Sequence, residues 1–128
     1  MKVLTIVGAR PQFIKAAVVS RAFKNIDGIE EYILHTGQHY DANMADLFFK
    51  QMDIPRPAVS LGINNLSHGA MTGRMLEAIE KQILEIKPDW VFVYGDTNST
   101  LAGAMAAKKQ HVKVAHVEAG LRSFNEFL

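Results

Sequence analysis

"KVLTIVGARPQFIKAAVVSRAFKN", residues 2–25, decides the fold. Its first part, Lys2 to Gly8, is a short apolar run rich in β-branched residues, the pattern of a buried strand. Its second part opens on Pro11, which is favoured at the start of a helix, and carries Ile14, Ala17, Val18 and Ala22 on one face. A strand that turns at a glycine directly into a helix has the outline of a phosphate-binding turn. The second and third glycines of the dinucleotide fingerprint are missing, however, and Arg10 and Lys15 stand there instead. An anion at this turn should therefore meet side-chain cations.

The pattern continues along the chain. "EEYILHTG" (30–37) reads as a second strand, residues 42–52 "ANMADLFFKQM" as a helix, and "PAVSLG" (57–62) as a short third strand. Residues 66–87 form a long amphipathic helix with Ser67 as its cap. Then come a strand "PDWVFVYG" (88–95), a helix "DTNSTLAGAMAAKKQ" (96–110) and a last strand "VKVAHVE" (112–118). Strands alternating with helices of this length imply parallel pairing, hence a doubly wound α/β sheet.

With 128 residues, one domain is expected. Hydrophobic residues at 48% and charged residues at 21% are ordinary globular values and argue against disorder or a coiled coil. A formal net charge of +1 leaves no electrostatic footprint for nucleic acid or an anionic membrane, so an anionic ligand must be held by local cations. The absence of cysteine excludes disulfides and thiolate metal sites. The apolar start meets Arg10 and Pro11 too soon for a signal peptide, and no run approaches the roughly 20 residues of a membrane span. A soluble cytoplasmic protein is the expectation. The terminal "GLRSFNEFL" follows a strand with no closing helix, which reads as a fragment or as a domain that continues elsewhere.

In such a sheet, ligands bind outside the carboxyl ends of the strands, where the strand order reverses. If the order is 3-2-1-4-5, the first strand delivers Arg10 with Lys15 nearby, the fourth delivers Asp96 and the fifth delivers Glu118. Two cations and two carboxylates then share one edge. Each has a plainer reading: Asp96 as a helix N-cap, Glu118 as a partner of Arg122 four residues on, and Lys15 as a solvated helix residue. His35 and His39 have the spacing of a zinc pair but straddle a strand end and a glycine loop, so a polar loop is the better reading and no metal is expected. His68 and Arg74 are candidates to face a ligand. His111 reads as surface, His116 as a satisfied core histidine and the methionines as core filler.

"GARPQFIK" (8–15), "TGQH" (36–39), "SHGAMTGRMLEAIE" (67–80), "VYGDTNSTLAGAMAA" (93–107) and "AHVEAGLRSF" (115–124) together resemble the amino-terminal domain of the non-hydrolysing UDP-N-acetylglucosamine 2-epimerases. The resemblance implies a Rossmann-like domain over residues 1–128, the first half of a GT-B architecture whose carboxyl-terminal domain is absent from this chain. It implies interconversion of UDP-GlcNAc and UDP-ManNAc without cofactor or metal, for surface polysaccharide precursors, by a homodimer. By the same resemblance, Arg10 and Lys15 contact the diphosphate, with Lys15 also serving the chemistry. Asp96 and Glu118 are the carboxylates beside the sugar, and His39 adds a substrate contact. "HYDAN" (39–43) departs from the stretch of members that bind a second, activating substrate molecule, so effector regulation is not expected to carry over. A hydrolysing relative, a GT-B glycosyltransferase and a non-catalytic ligand-binding module are the rival expectations.

Overall fold

The computed structural model describes residues 1–37, Lys50 and 57–118. Within these, the chain runs β1 (Lys2–Val7), α1 (Arg10–Lys24), β2 (Glu30–His35), β3 (Val59–Ser60), α2 (His68–Ile86), β4 (Trp90–Tyr94), α3 (Asn98–Lys109) and β5 (Lys113–Val117). The five strands form one sheet in the order β3-β2-β1-β4-β5, and every pairing is parallel. This is the expected order, with the reversal between β1 and β4. The helix expected over residues 42–52 falls outside the described residues, apart from Lys50.

The helices divide between the two faces. On one, Phe13, Ala16 and Ala17 of α1 pack on Val7, Ile33 and Tyr94. On the other, Met71, Met75, Ile79 and Ile83 of α2 and the alanines of α3 cover Leu4, Ile6, Leu34, Val91 and Val93. The four α2 residues recur every fourth position, so one stripe meets the sheet. Ser67 caps α2 by accepting from the Ala70 N–H at 3.4 Å, as expected. Lys87 closes it in the left-handed conformation, and Pro88 bars its continuation. Among the described methionines, Met71 and Met75 do fill the core, whereas Met1 and Met105 are exposed, so the reading of the methionines as core filler holds only in part.

Of the stripe expected on α1, Ala17 is buried, but Ile14, Val18 and Ala22 are exposed. Ile14 and Val18 are 45% and 62% exposed, and the buried residues are Gln12, Phe13, Ala16, Ala17 and Ser20. Small side chains at 16 and 17 let the helix close, beside Phe13, onto a sheet face filled by Val7, Ile33 and Tyr94. Ile14 and Val18 are turned outward by that packing, while Val19 stays against the core. The consequence for the site is rotational: this setting of α1 aims Gln12 at the β4 turn.

Candidate functional site at the carboxyl edge

The turn after β1 is built around Gln12. Its Oε1 accepts from the Gly8 N–H at 2.7 Å and the Ala9 N–H at 3.2 Å. Its Nε2 donates to the Tyr94 carbonyl at 2.8 Å and to Thr97 Oγ1 at 2.7 Å. Two acceptor positions and two donor hydrogens exhaust the capacity of a side-chain amide, and the partners fix which end is oxygen. Pro11 has no N–H. The amides that a phosphate-binding turn would offer at Gly8 and Ala9 are thus already engaged, which accounts for cations at Arg10 and Lys15.

Gly8 must lack a side chain. A Cβ there would stand 2.3 Å from Ser99 Oγ and 2.5 Å from Thr36 Oγ1, hydroxyls that bond each other at 2.8 Å. Arg10 opens α1 and is exposed. Lys15 is half-buried and lies one turn beyond Gln12 on the same side of α1, the side turned toward β4.

Asp96 lies between Gly95 and Thr97, and nearly every neighbour of it is pinned. The Tyr94 carbonyl accepts from Gln12 and from Thr100 Oγ1, the latter at 2.7 Å. The Gly95 N–H donates to Val117 O at 3.2 Å, and the Gly95 carbonyl lies 2.6 Å from His116 Nε2. The Thr97 N–H donates to Thr100 Oγ1 at 3.1 Å. Gly95 has φ +72, a conformation other residues adopt with strain. The N-cap of α3 is Thr97, so the plain reading of Asp96 as the cap is corrected. Thr97 is the residue whose hydrogen-bonded geometry starts the helix, and Asp96 is left exposed at the edge.

Glu118 follows β5 and is half-buried, with Oε1 at 3.3 Å from His116 Nε2. That nitrogen serves both the Gly95 carbonyl and the Glu118 carboxylate, so His116 latches the ends of β4 and β5 together. Of the four residues expected at this edge, Arg10, Asp96 and Glu118 follow the three adjacent strands β1, β4 and β5. Arg122 and His39 lie outside the described residues.

The other histidines separate. His35 Nδ1 accepts from the Gly37 N–H at 2.8 Å, and its ring packs on Phe13 at 4.8 Å. Burial lowers the imidazole from 6.5 to about 4. A folded value below the unfolded one means that the unfolded chain takes up the proton first, so stability is full above pH 6.5 and falls toward pH 4. The expected loss is roughly 2–3 kcal/mol over that window. Denaturant titrations at about pH 7 and about pH 4.5 check it, with His35→Asn, which keeps an acceptor without a titrating group, showing the smaller difference. His68 begins α2, and its Nδ1 lies 3.0 Å from Asn98 Nδ2, which brings it to the α3 side of this edge. Arg74 instead lines a surface cavity of about 370 Å³ with Ile63, Asn64 and Glu77, on the β3 side. His111 is exposed, as expected.

Sequence reasoning missed Gln12, Thr97 and Thr100. The available signal was a glutamine in the first turn of a helix, where a side chain can reach back to the amides before it. Among the described residues no helix is long and apolar enough to cross a membrane.

Residues 21–127 match the UDP-N-acetylglucosamine 2-epimerase family. The chain is 63% identical over 125 residues to the UDP-2,3-diacetamido-2,3-dideoxy-D-glucuronate 2-epimerase of Pseudomonas aeruginosa, covering 98% of this chain and 35% of that protein. It is 49% identical over 125 residues to the UDP-N-acetylglucosamine 2-epimerase of Methanocaldococcus jannaschii, covering 98% of this chain and 34% of that one. The crystal structure of the M. jannaschii enzyme in complex with UDP-GlcNAc and UDP superimposes with a TM-score of 0.88 at 48% identity, over 100% of this chain and 35% of the other. This chain therefore spans about a third of the length of these relatives. A parallel sheet in the order found here, a solved relative at this identity and a family match over most of the chain make it a member of the UDP-N-acetylglucosamine 2-epimerase family.

Proposed function

We propose that residues 1–128 are the amino-terminal Rossmann-like domain of a two-domain, GT-B-type non-hydrolysing 2-epimerase of UDP-linked 2-acetamido sugars, with UDP-GlcNAc and UDP-ManNAc as the substrate pair. The observation that carries this reading is the division of the edge: cationic side chains after β1, where Gln12 engages the turn amides, and carboxylates after β4 and β5. The M. jannaschii relative bound to UDP-GlcNAc and UDP supports the ligand class.

The chemistry asks for this division. The C2 proton of the sugar has no adjacent carbonyl, so a carboxylate alone removes it too slowly. Breaking the C1–O bond as the proton leaves places positive charge on the ring and negative charge on departing UDP. Arg10 suits bidentate contact with that diphosphate, and Lys15 acts on it as a point charge. Both stabilise charge where it develops. Elimination leaves a 2-acetamidoglucal with UDP still bound. Re-addition of UDP, with a proton delivered to the opposite face of C2, completes the inversion, and Asp96 and Glu118 carry those two proton transfers. The enzyme acts in the cytoplasm as a homodimer, and light scattering of the complete protein checks the assembly.

A second reading is favoured by the 63% identity to the diacetamido-glucuronate epimerase: the same reaction at C2 on a sugar with a further acetamido group and a carboxylate. NMR product analysis with each nucleotide sugar separates the two, and it separates both from a hydrolase, which would release free sugar. Arg10→Ala tests the phosphate role. Losing one charge-assisted contact should weaken UDP binding about 10–100-fold in calorimetry. Unchanged UDP affinity would remove Arg10 from the site.

A further inference from the structure

We infer that Gln12 is a positioning residue that couples the phosphate-binding end of the site to its acid–base end. The inference rests on the function proposed above, but its observations are independent of it. Gln12 is 4% exposed, and its side chain crosses from one strand end to the next. On one side it holds the two amides immediately before Arg10; on the other it holds Tyr94 and Thr97, which bracket Gly95 and Asp96.

Other hydrogen bonds at this edge join different pairs of elements. The Thr36–Ser99 hydroxyl pair passes beneath Gly8 and joins the end of β2 to α3. The His116 contacts join the end of β4 to β5. Gln12 runs from the β1 turn to the β4 turn, across the strand reversal where a ligand would sit. Because all four of its hydrogen-bonding positions are filled, the amide cannot rotate without losing partners on both sides. Beyond the last β1–β4 pair, the cation-bearing turn and the Asp96 turn are thereby tied through this side chain.

A merely structural role would lower stability and leave the folded enzyme normal. A coupling role predicts different losses according to which link is cut. The test uses the complete enzyme, held well below its melting temperature, with UDP affinity read by calorimetry and kcat by product NMR. Gln12→Ala releases both turns, and we expect UDP binding weaker by about 10-fold and kcat lower by about 100-fold. Thr97→Val removes one of the two bonds on the β4 side, that to Thr97 Oγ1, and leaves both bonds to the β1 turn in place. It should lower kcat by about 10-fold and leave UDP affinity within about twofold. Gln12→Glu keeps an acceptor for both amides and loses both donors toward the β4 turn, so UDP affinity should fall less than in Gln12→Ala while kcat falls as far.

A folded Gln12→Ala enzyme with wild-type UDP affinity and kcat overturns the inference. So does a Thr97→Val enzyme with normal kcat, or one that loses UDP affinity as fully as kcat; this variant decides if Gln12→Ala does not fold. Normal constants in these variants, alongside losses in Arg10→Ala and Asp96→Asn, would defeat the coupling and leave the proposed function standing.

Discussion

The Asp96→Asn substitution should lower kcat of the complete enzyme by about 10³-fold, inside the roughly 10²–10⁴ that a positioned acid or base contributes. KM should move by no more than about threefold, because the group lost acts on the transferring proton and not on the bound nucleotide. The structure makes this substitution a clean one. Asp96 is exposed and does not cap α3, that position being held by Thr97. Its flanking residues are held by Gln12, Thr100, Val117 and His116, none of which contacts its carboxylate in those bonds. The amide keeps the shape of the carboxylate, the turn keeps its bonds, and the melting temperature should stay within about two degrees, as for a surface change of under about 0.5 kcal/mol. A thermal scan beside the kinetics establishes that the loss is chemical. Wild-type kcat in Asp96→Asn and also in Glu118→Gln would end the acid–base assignment.

What the sequence revealed of this edge, and what it hid, follows from the range of the interactions. Strand order was readable because alternating apolar runs and helices leave few ways to wind a parallel sheet, and the charged residues then fall at strand ends by counting. Gln12 was hidden because its partners are four residues before it and more than eighty after it. No local pattern reports a bond to Tyr94. The face of α1 was misjudged for a related reason: periodicity marks where apolar residues recur, and α1 carries apolar residues on more than one side. Ala16 and Ala17 lie inside beside Phe13 because small side chains there let the helix approach Tyr94 and Ile33, a fact about the sheet as much as about the helix. Asp96 and Thr97 are adjacent residues of types that both cap helices well, so the choice between them needed the position of Thr100.

His116 shows the same limit from the other direction. It reads as a satisfied core histidine, and its side chain is largely buried, but only Nε2 is engaged in the bonds at this edge, standing between the Gly95 carbonyl and the Glu118 carboxylate. A ring buried between two strand ends thus also contacts the acid that follows it by two residues. Glu118 is therefore tied through His116 to Gly95, the residue before Asp96. Such preorganisation matters for a reaction that needs two proton transfers on opposite faces of one carbon, since a group misplaced by about 1 Å can cost about 10²-fold.

The Glu118→Gln substitution should accordingly lower kcat by about 10³-fold as well, with UDP affinity unchanged. The amide oxygen that it introduces can still accept from His116, so the latch between β4 and β5 survives and the effect reports the lost proton transfer. The sharper measurement is the double variant, Asp96→Asn with Glu118→Gln. If one carboxylate removes the C2 proton and the other returns it, either loss alone halts the same cycle, and removing both should cost no more than about 10-fold beyond the worse single. Independent contributions would instead multiply, to about 10⁶-fold for two losses of about 10³. A product of that size would mean that Asp96 and Glu118 stabilise the transition state separately, and the two-carboxylate relay would have to be given up even though each residue matters.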